Sequence, residues 1–112
     1  MSTQARTVEF LLEQMGSIAD ITARKMFGEY ALYLGSKVVA LVCDDQLFVK
    51  PTVVGRAWIE GSGRKVAEGC AYQGAKPSLL ISSEDWDDRD WLSQLIQVTA
   101  AELPLPQPKK VK

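Results

Sequence analysis

The chain has no histidine and only two cysteines, Cys43 and Cys70, among its 112 residues. Without histidine it lacks both the side chain most often recruited for proton transfer near neutral pH and the commonest metal ligand. The cysteines lie in apolar surroundings and in no metal-ligand spacing, which predicts free, half-buried thiols in a reducing compartment. No apolar run approaches the roughly 20 residues that a membrane-spanning helix needs. The N-terminus, Met1-Ser2-Thr3-Gln4-Ala5-Arg6, lacks the apolar stretch and cleavage site of a secretory signal, so the expected location is the cytoplasm, with no membrane partner. Charge of one sign is also missing. Thirteen basic and 14 acidic residues are interspersed for a net −1, which excludes a global positive field for non-specific nucleic-acid binding.

What is present suits one soluble domain, since 46% hydrophobic and 24% charged residues are ordinary proportions and 112 residues can enclose one core. The domain is expected over residues 1–103, with 104–112 a disordered tail rich in proline and lysine. Val8, Leu11, Leu12 and Met15 recur at helical spacing, predicting an amphipathic helix over 4–15. Phe10 falls outside that stripe, and Gly16 is a natural left-handed residue to end the helix.

From Thr22 the period changes, and strands are predicted near 22–27, 29–34, 38–43 and 46–50. Gly35-Ser36 and Asp44-Asp45 suit two-residue turns, making the last three strands an antiparallel meander. Two-residue loops would set Leu32 opposite Val39 and Leu41 opposite Phe48. Tyr30, Leu32, Val39, Leu41, Cys43 and Phe48 would then share one face, with Ala31, Tyr33, Val38, Ala40, Val42, Leu47 and Val49 on the other. Both sets are apolar, so cover is expected on both sides, from the chain's own helices on one and from helices or a second subunit on the other.

Pro51 ends the meander and Thr52 is a candidate cap for a helix over 53–60, with Val54, Ala57 and Trp58 on its packed face. Gly61-Ser62-Gly63-Arg64-Lys65 follows a helix and has no Ser or Thr after the lysine, so it is a surface loop and no phosphate cradle. Residues 78–82 predict another strand. Glu84, Asp85, Asp87, Asp88 and Asp90 are read as acids capping the last helix, because the alternating calcium-loop pattern is absent and no metal or other cofactor is called for. Leu92, Leu95, Ile96, Thr99 and Leu103 give that helix its stripe, widened by Trp91 and Val98; Trp86 and Trp91 are expected in the core. Neither main helix carries the basic residues that phosphate and base-edge contacts need, so direct nucleic-acid binding is not expected. No serine has the setting of a nucleophile, and no catalytic residues are assigned.

The segment Arg24-Lys25-Met26-Phe27-Gly28, followed by Tyr30-Ala31-Leu32-Tyr33, the apolar hairpin and Leu47-Phe48-Val49-Lys50, resembles the N-terminal domain of the TfoX/Sxy family of bacterial competence regulators. The resemblance covers residues 4–103. Glu29 and Ala31 stand where that family commonly has glycine. It implies an α+β domain whose central antiparallel sheet is flanked by N-terminal and C-terminal helices, no enzymatic activity, and involvement in transcription regulation. Family regulators act with the cAMP receptor protein and usually carry a second, helical C-terminal domain, for which this chain has no room. A stand-alone N-terminal domain is thus expected to keep a protein-binding surface.

Within the motif, Met26, Phe27, Gly28, Tyr30 and Tyr33 are read as mainly structural. Arg24 and Lys25 are the candidate partner-binding residues, an exposed positive pair beside aromatic surface. Two functions follow. One is a protein-binding accessory domain in transcription regulation, homodimeric through its second sheet face. The other is a small-ligand or redox-sensing module in a cleft near Tyr30, Tyr33 and Cys70.

Overall fold

The computed structural model describes residues 3–26, 29–71 and 73–104. The expected tail beyond Pro104 lies outside them. The order is α1 (Ala5–Gln14), β1 (Ile21–Met26), β2 (Glu29–Leu34), β3 (Lys37–Cys43), β4 (Gln46–Val49), α2 (Val53–Gly61), β5 (Glu68–Cys70), β6 (Pro77–Ile81), a single 3-10 turn at Ser83–Asp85, and α3 (Arg89–Glu102). All strands pair antiparallel in one six-stranded sheet ordered β1-β2-β3-β4-β6-β5, so the fold is α+β. No helix among the described residues is long and apolar enough to cross a membrane.

Both tight turns form as predicted, because their residues tolerate left-handed backbone. Gly35 has φ 64°, while Asp44 and Asp45 have φ 53° and 58°. The second turn sets Leu41 opposite Phe48 as expected. The first does not set Leu32 opposite Val39. Tyr33 pairs with Val38 but Leu32 pairs with Ala40, so Val39 is an extra residue in a β-bulge. A one-residue slip moves side chains to the opposite face, and the two predicted sets are corrected accordingly. Tyr30, Leu32, Ala40, Val42, Leu47 and Val49 share the core face, with bulged Val39 also packed into the core. Ala31, Leu41 and Phe48 lie together on the other face.

One cluster joins Val8, Leu11 and Met15 of the N-terminal segment, Ile59 of α2, and Trp91, Leu92, Leu95 and Ile96 of α3 to that core face. Each such aliphatic side chain contributes about 1.5–3 kcal/mol relative to exposure. The helices therefore all cover the same side of the sheet. Trp86 and Trp91 are core residues, as the sequence suggested.

Of the face predicted for α2, only Trp58 packs against the core. Val54 and Ala57 are exposed, and the buried positions are Gly55 and Ile59. Gly55 has no side chain, which lets α2 approach α3 closely: a Cβ there would stand 3.1 Å from Thr99 Oγ1 and 3.6 Å from Leu95 Cδ1. Thr52 caps α2 by accepting from Gly55 N at 2.9 Å. Glu102, on α3, accepts from Val53 N and Val54 N at 3.0 and 2.9 Å.

Helix α1 has no side-chain cap of its own. Asp45 in the β3–β4 turn supplies one, accepting from Gln4 N at 2.9 Å and from the Thr7 hydroxyl at 2.8 Å. Gly16 does not take the left-handed conformation expected of it; α1 closes through a tight turn in which Gly16 N donates to Glu13 O. Arg89 of α3 donates to the same carbonyl at 2.9 Å, placing a cation at the negative end of α1.

Candidate functional site

Of the five acids expected to cap the last helix, Asp88 alone caps it, Asp90 lies in its first turn, and Asp85 is held by an ion pair instead. Asp88 caps α3 by accepting from Trp91 N, while Arg64 donates to Asp85 at 2.9 Å and to Asp88 at 3.1 Å. The guanidinium lies 4.1 Å above the Trp91 ring. Its bond to Asp85 is the main reason its pKa is raised further, and Asp88 adds to this. Ser62, in the glycine-rich loop, accepts from Trp91 Nε1 at 2.8 Å and donates to Trp58 O at 2.6 Å, so this loop is a clasp joining α2 to α3.

The cysteines are both free. Cys43 is buried, and that burial pushes its thiol pKa up, with the Glu29 carboxylate adding to the effect. Cys70 is exposed at the β5 edge of the sheet, separated from β2 by three strands. Tyr30 packs against the helix-covered core, whereas Tyr33 lies beside Arg24 on the opposite face. The structure thus does not bring Tyr30, Tyr33 and Cys70 into one cleft.

Strand alternation also divides the Arg24–Lys25 pair. Arg24 sits opposite Ala31 and Thr22 opposite Tyr33, which makes Arg24 the diagonal neighbour of Tyr33; its guanidinium carbon is 5.4 Å from that ring's centroid. Lys25 pairs with Tyr30 and points to the other side. Both are exposed on edge strand β1, but they do not form a single site. Phe27, Gly28 and the side chain of Met26 lie outside the described residues.

The helix-free face carries a second feature that sequence reading passed over. Lys50, just beyond β4, borders two hollows. One, of about 380 Å³, is floored by Leu41 and Phe48 and rimmed by Lys50, Lys76, Pro77 and Ser78. The other, of about 430 Å³, lies against Tyr33, Val38, Lys37 and Leu103. No acidic side chain is among the described residues lining either one. Phe48 is only 4% exposed, because β5 closes over it at Gly69, where a Cβ would stand 3.2 Å from the ring. Lys50 was legible only as the last residue of a strand; its partners across the hollow come from a segment some 25 residues later.

The family model for the TfoX N-terminal domain matches residues 13–103, a span that includes the whole sheet, α2 and α3. The chain belongs to the TfoX N-terminal domain family. It is also similar to an uncharacterized 12.7 kDa protein in the trpE 5′ region of Spirochaeta aurantia, 37% identical over 112 residues that span 100% of this chain and 93% of that one. The TfoX N-terminal domain match places the Arg24–Tyr33 stack, Lys50 and Lys76 all inside the family span.

Proposed function

We propose that this chain is a non-enzymatic domain that docks a protein partner in bacterial transcription regulation, using the helix-free face of its sheet. The observation that carries this reading is the one-sided packing. The apolar residues that the described helices bury all pack against one face, while the other presents Tyr33, Val38 and Leu41 only half-buried among Arg24, Lys50 and Lys76. Apolar surface edged mainly by cations is the composition of a docking site, and Glu29, the acid at the start of β2 on this face, is engaged by the Thr3 hydroxyl and Asp44 N. Membership of the TfoX N-terminal domain family supports the regulatory context. The polar clusters elsewhere suit a non-catalytic role, since Arg64 holds Asp85 and Asp88, and Glu102 caps α2. Two-fold pairing of copies through this face would bring like charges together, which favours a different, acidic partner over self-association.

Strand alternation provides the test. Arg24→Glu reverses charge on the docking face, and Lys25→Glu makes the same change on the opposite one. In affinity capture with quantitative mass spectrometry, wild type and Lys25→Glu should retain a shared set of transcription proteins that Arg24→Glu loses. Retention of no transcription protein by wild type, or equal capture by Arg24→Glu, would sink the reading.

A further inference from the structure

We infer that the hollow between β4 and the segment leading into β6 seats an acidic side chain of an extended partner segment, with the apolar side chain two residues along on its floor. The inference rests on the docking face proposed above and names the chemistry that face selects. Lys50 comes from the end of β4 and Lys76 from the residue preceding β6, adjacent strands, so two lysines from separate parts of the chain border one hollow. Its described lining includes no carboxylate to neutralise them. An anion entering there gains attraction from both, in surroundings where the apolar floor of Leu41 and Phe48 lowers the local dielectric. The Ser78 hydroxyl on the rim is a further polar group for a carboxylate oxygen. Alternate side chains of an extended chain share one face, so the floor and the charged rim together call for a segment with an acidic and an apolar residue two positions apart.

Cations beside aromatic rings on an open sheet face can also serve single-stranded nucleic acid, but that mode stacks bases on exposed rings. Here Phe48 shows only a small part of its ring at the floor of the hollow, beneath Leu41 and β5, and the open side of Tyr33 is shared with the Arg24 guanidinium, so neither ring offers a free face for a base. The lining therefore favours an acidic protein segment.

The probe is a fluorescein-labelled peptide that carries glutamate and leucine in turn at every second position with serine between them, compared with its glutamine-for-glutamate counterpart by fluorescence anisotropy on the whole chain. The glutamate peptide should bind at least about fivefold more tightly, in a salt-sensitive way, and Lys50→Gln and Lys76→Gln should each weaken it by about three- to tenfold. Lys65→Gln, an exposed lysine outside the hollow, should leave it unchanged. Circular dichroism melts establish that each variant is folded. Equal binding of the two peptides, or unchanged binding by both hollow variants, overturns the inference. So does preferential binding of a labelled single-stranded RNA. If Arg24→Glu loses the captured partner while Lys50→Gln and Lys76→Gln bind the peptide as wild type does, the docking face stands and the acidic seat falls.

Discussion

Gly55→Ala should destabilise the domain, against the usual effect of that exchange within a helix. Alanine in place of a helical glycine ordinarily gains about 1 kcal/mol, because the unfolded chain loses freedom and the helix is better formed. At Gly55 the new Cβ would stand 2.6 Å from Thr52 Oγ1 and 3.1 Å from Thr99 Oγ1. The first distance is closer than a Cβ contact can be, so the hydroxyl capping α2 must turn away, losing about 1 kcal/mol. The second concerns a threonine that is fully buried, with a hydroxyl lacking any hydrogen-bond partner among the described residues, so it has little room to yield. Overpacking of this kind costs about 1–3 kcal/mol. The two losses exceed the gain and leave a net destabilisation of about 1–3 kcal/mol, or a melting temperature lower by roughly 4–12 °C for a domain of this size. Urea denaturation followed by circular dichroism measures it. Gly61→Ala, at the other end of the same helix and with nothing within 4 Å of its new Cβ, should be neutral or stabilising. If Gly55→Ala matched or exceeded wild-type stability, the close approach of α2 to α3 would be refuted.

Thiol labelling of the native chain should modify Cys70 and spare Cys43, with two equivalents reacting only in denaturant, because the Cys43 thiol is buried and its pKa raised; rapid native labelling of Cys43 would contradict its placement. The bonds from Gln4 N and then Thr7 hold the Asp45 carboxyl below its ordinary value. Its contribution is therefore present above about pH 4 and lost as pH falls through the lower folded value. Asp45→Asn should be the less stable chain at pH 7, with the gap in urea midpoint closing in acid; a gap that widened on acidification would reverse the sign and reject the assignment.

Most of the architecture was legible because hydrophobic period and turn chemistry act locally. The stripe of Val8, Leu11 and Met15, the left-handed Asp44-Asp45 turn and the Thr52 cap are each set by neighbours in sequence. The bulge was not, since Val38, Val39 and Ala40 are all apolar and their run contains no polar residue to reveal a slipped register. The packed face of α2 was misread for a related reason: Gly55 acts through the side chain it lacks, which no hydrophobic count registers. Of the candidate site, Arg24 beside an aromatic surface was readable, but its separation from Lys25 follows only once β1 is a paired strand. Lys50 and Lys76 meet through the order of the sheet, in which β6 adds beside β4 across an intervening helix and a short edge strand.

The borrowed caps bear on the order in which the chain acquires structure during synthesis. Helix α1 leaves the ribosome before the β3–β4 turn, yet the carboxylate that accepts from Gln4 N at its start belongs to Asp45, and the burial of its apolar stripe requires the sheet. A ten-residue helix is too short to persist alone in water. It must wait for the β3–β4 hairpin, which needs only local closure and can form quickly. Helix α2 in turn receives two of its amide partners from Glu102, at the end of α3. Nascent chains stalled before that residue should hold a formed meander while α2 still exchanges its first amides freely, so the two early helices mature only as the later parts of the chain arrive.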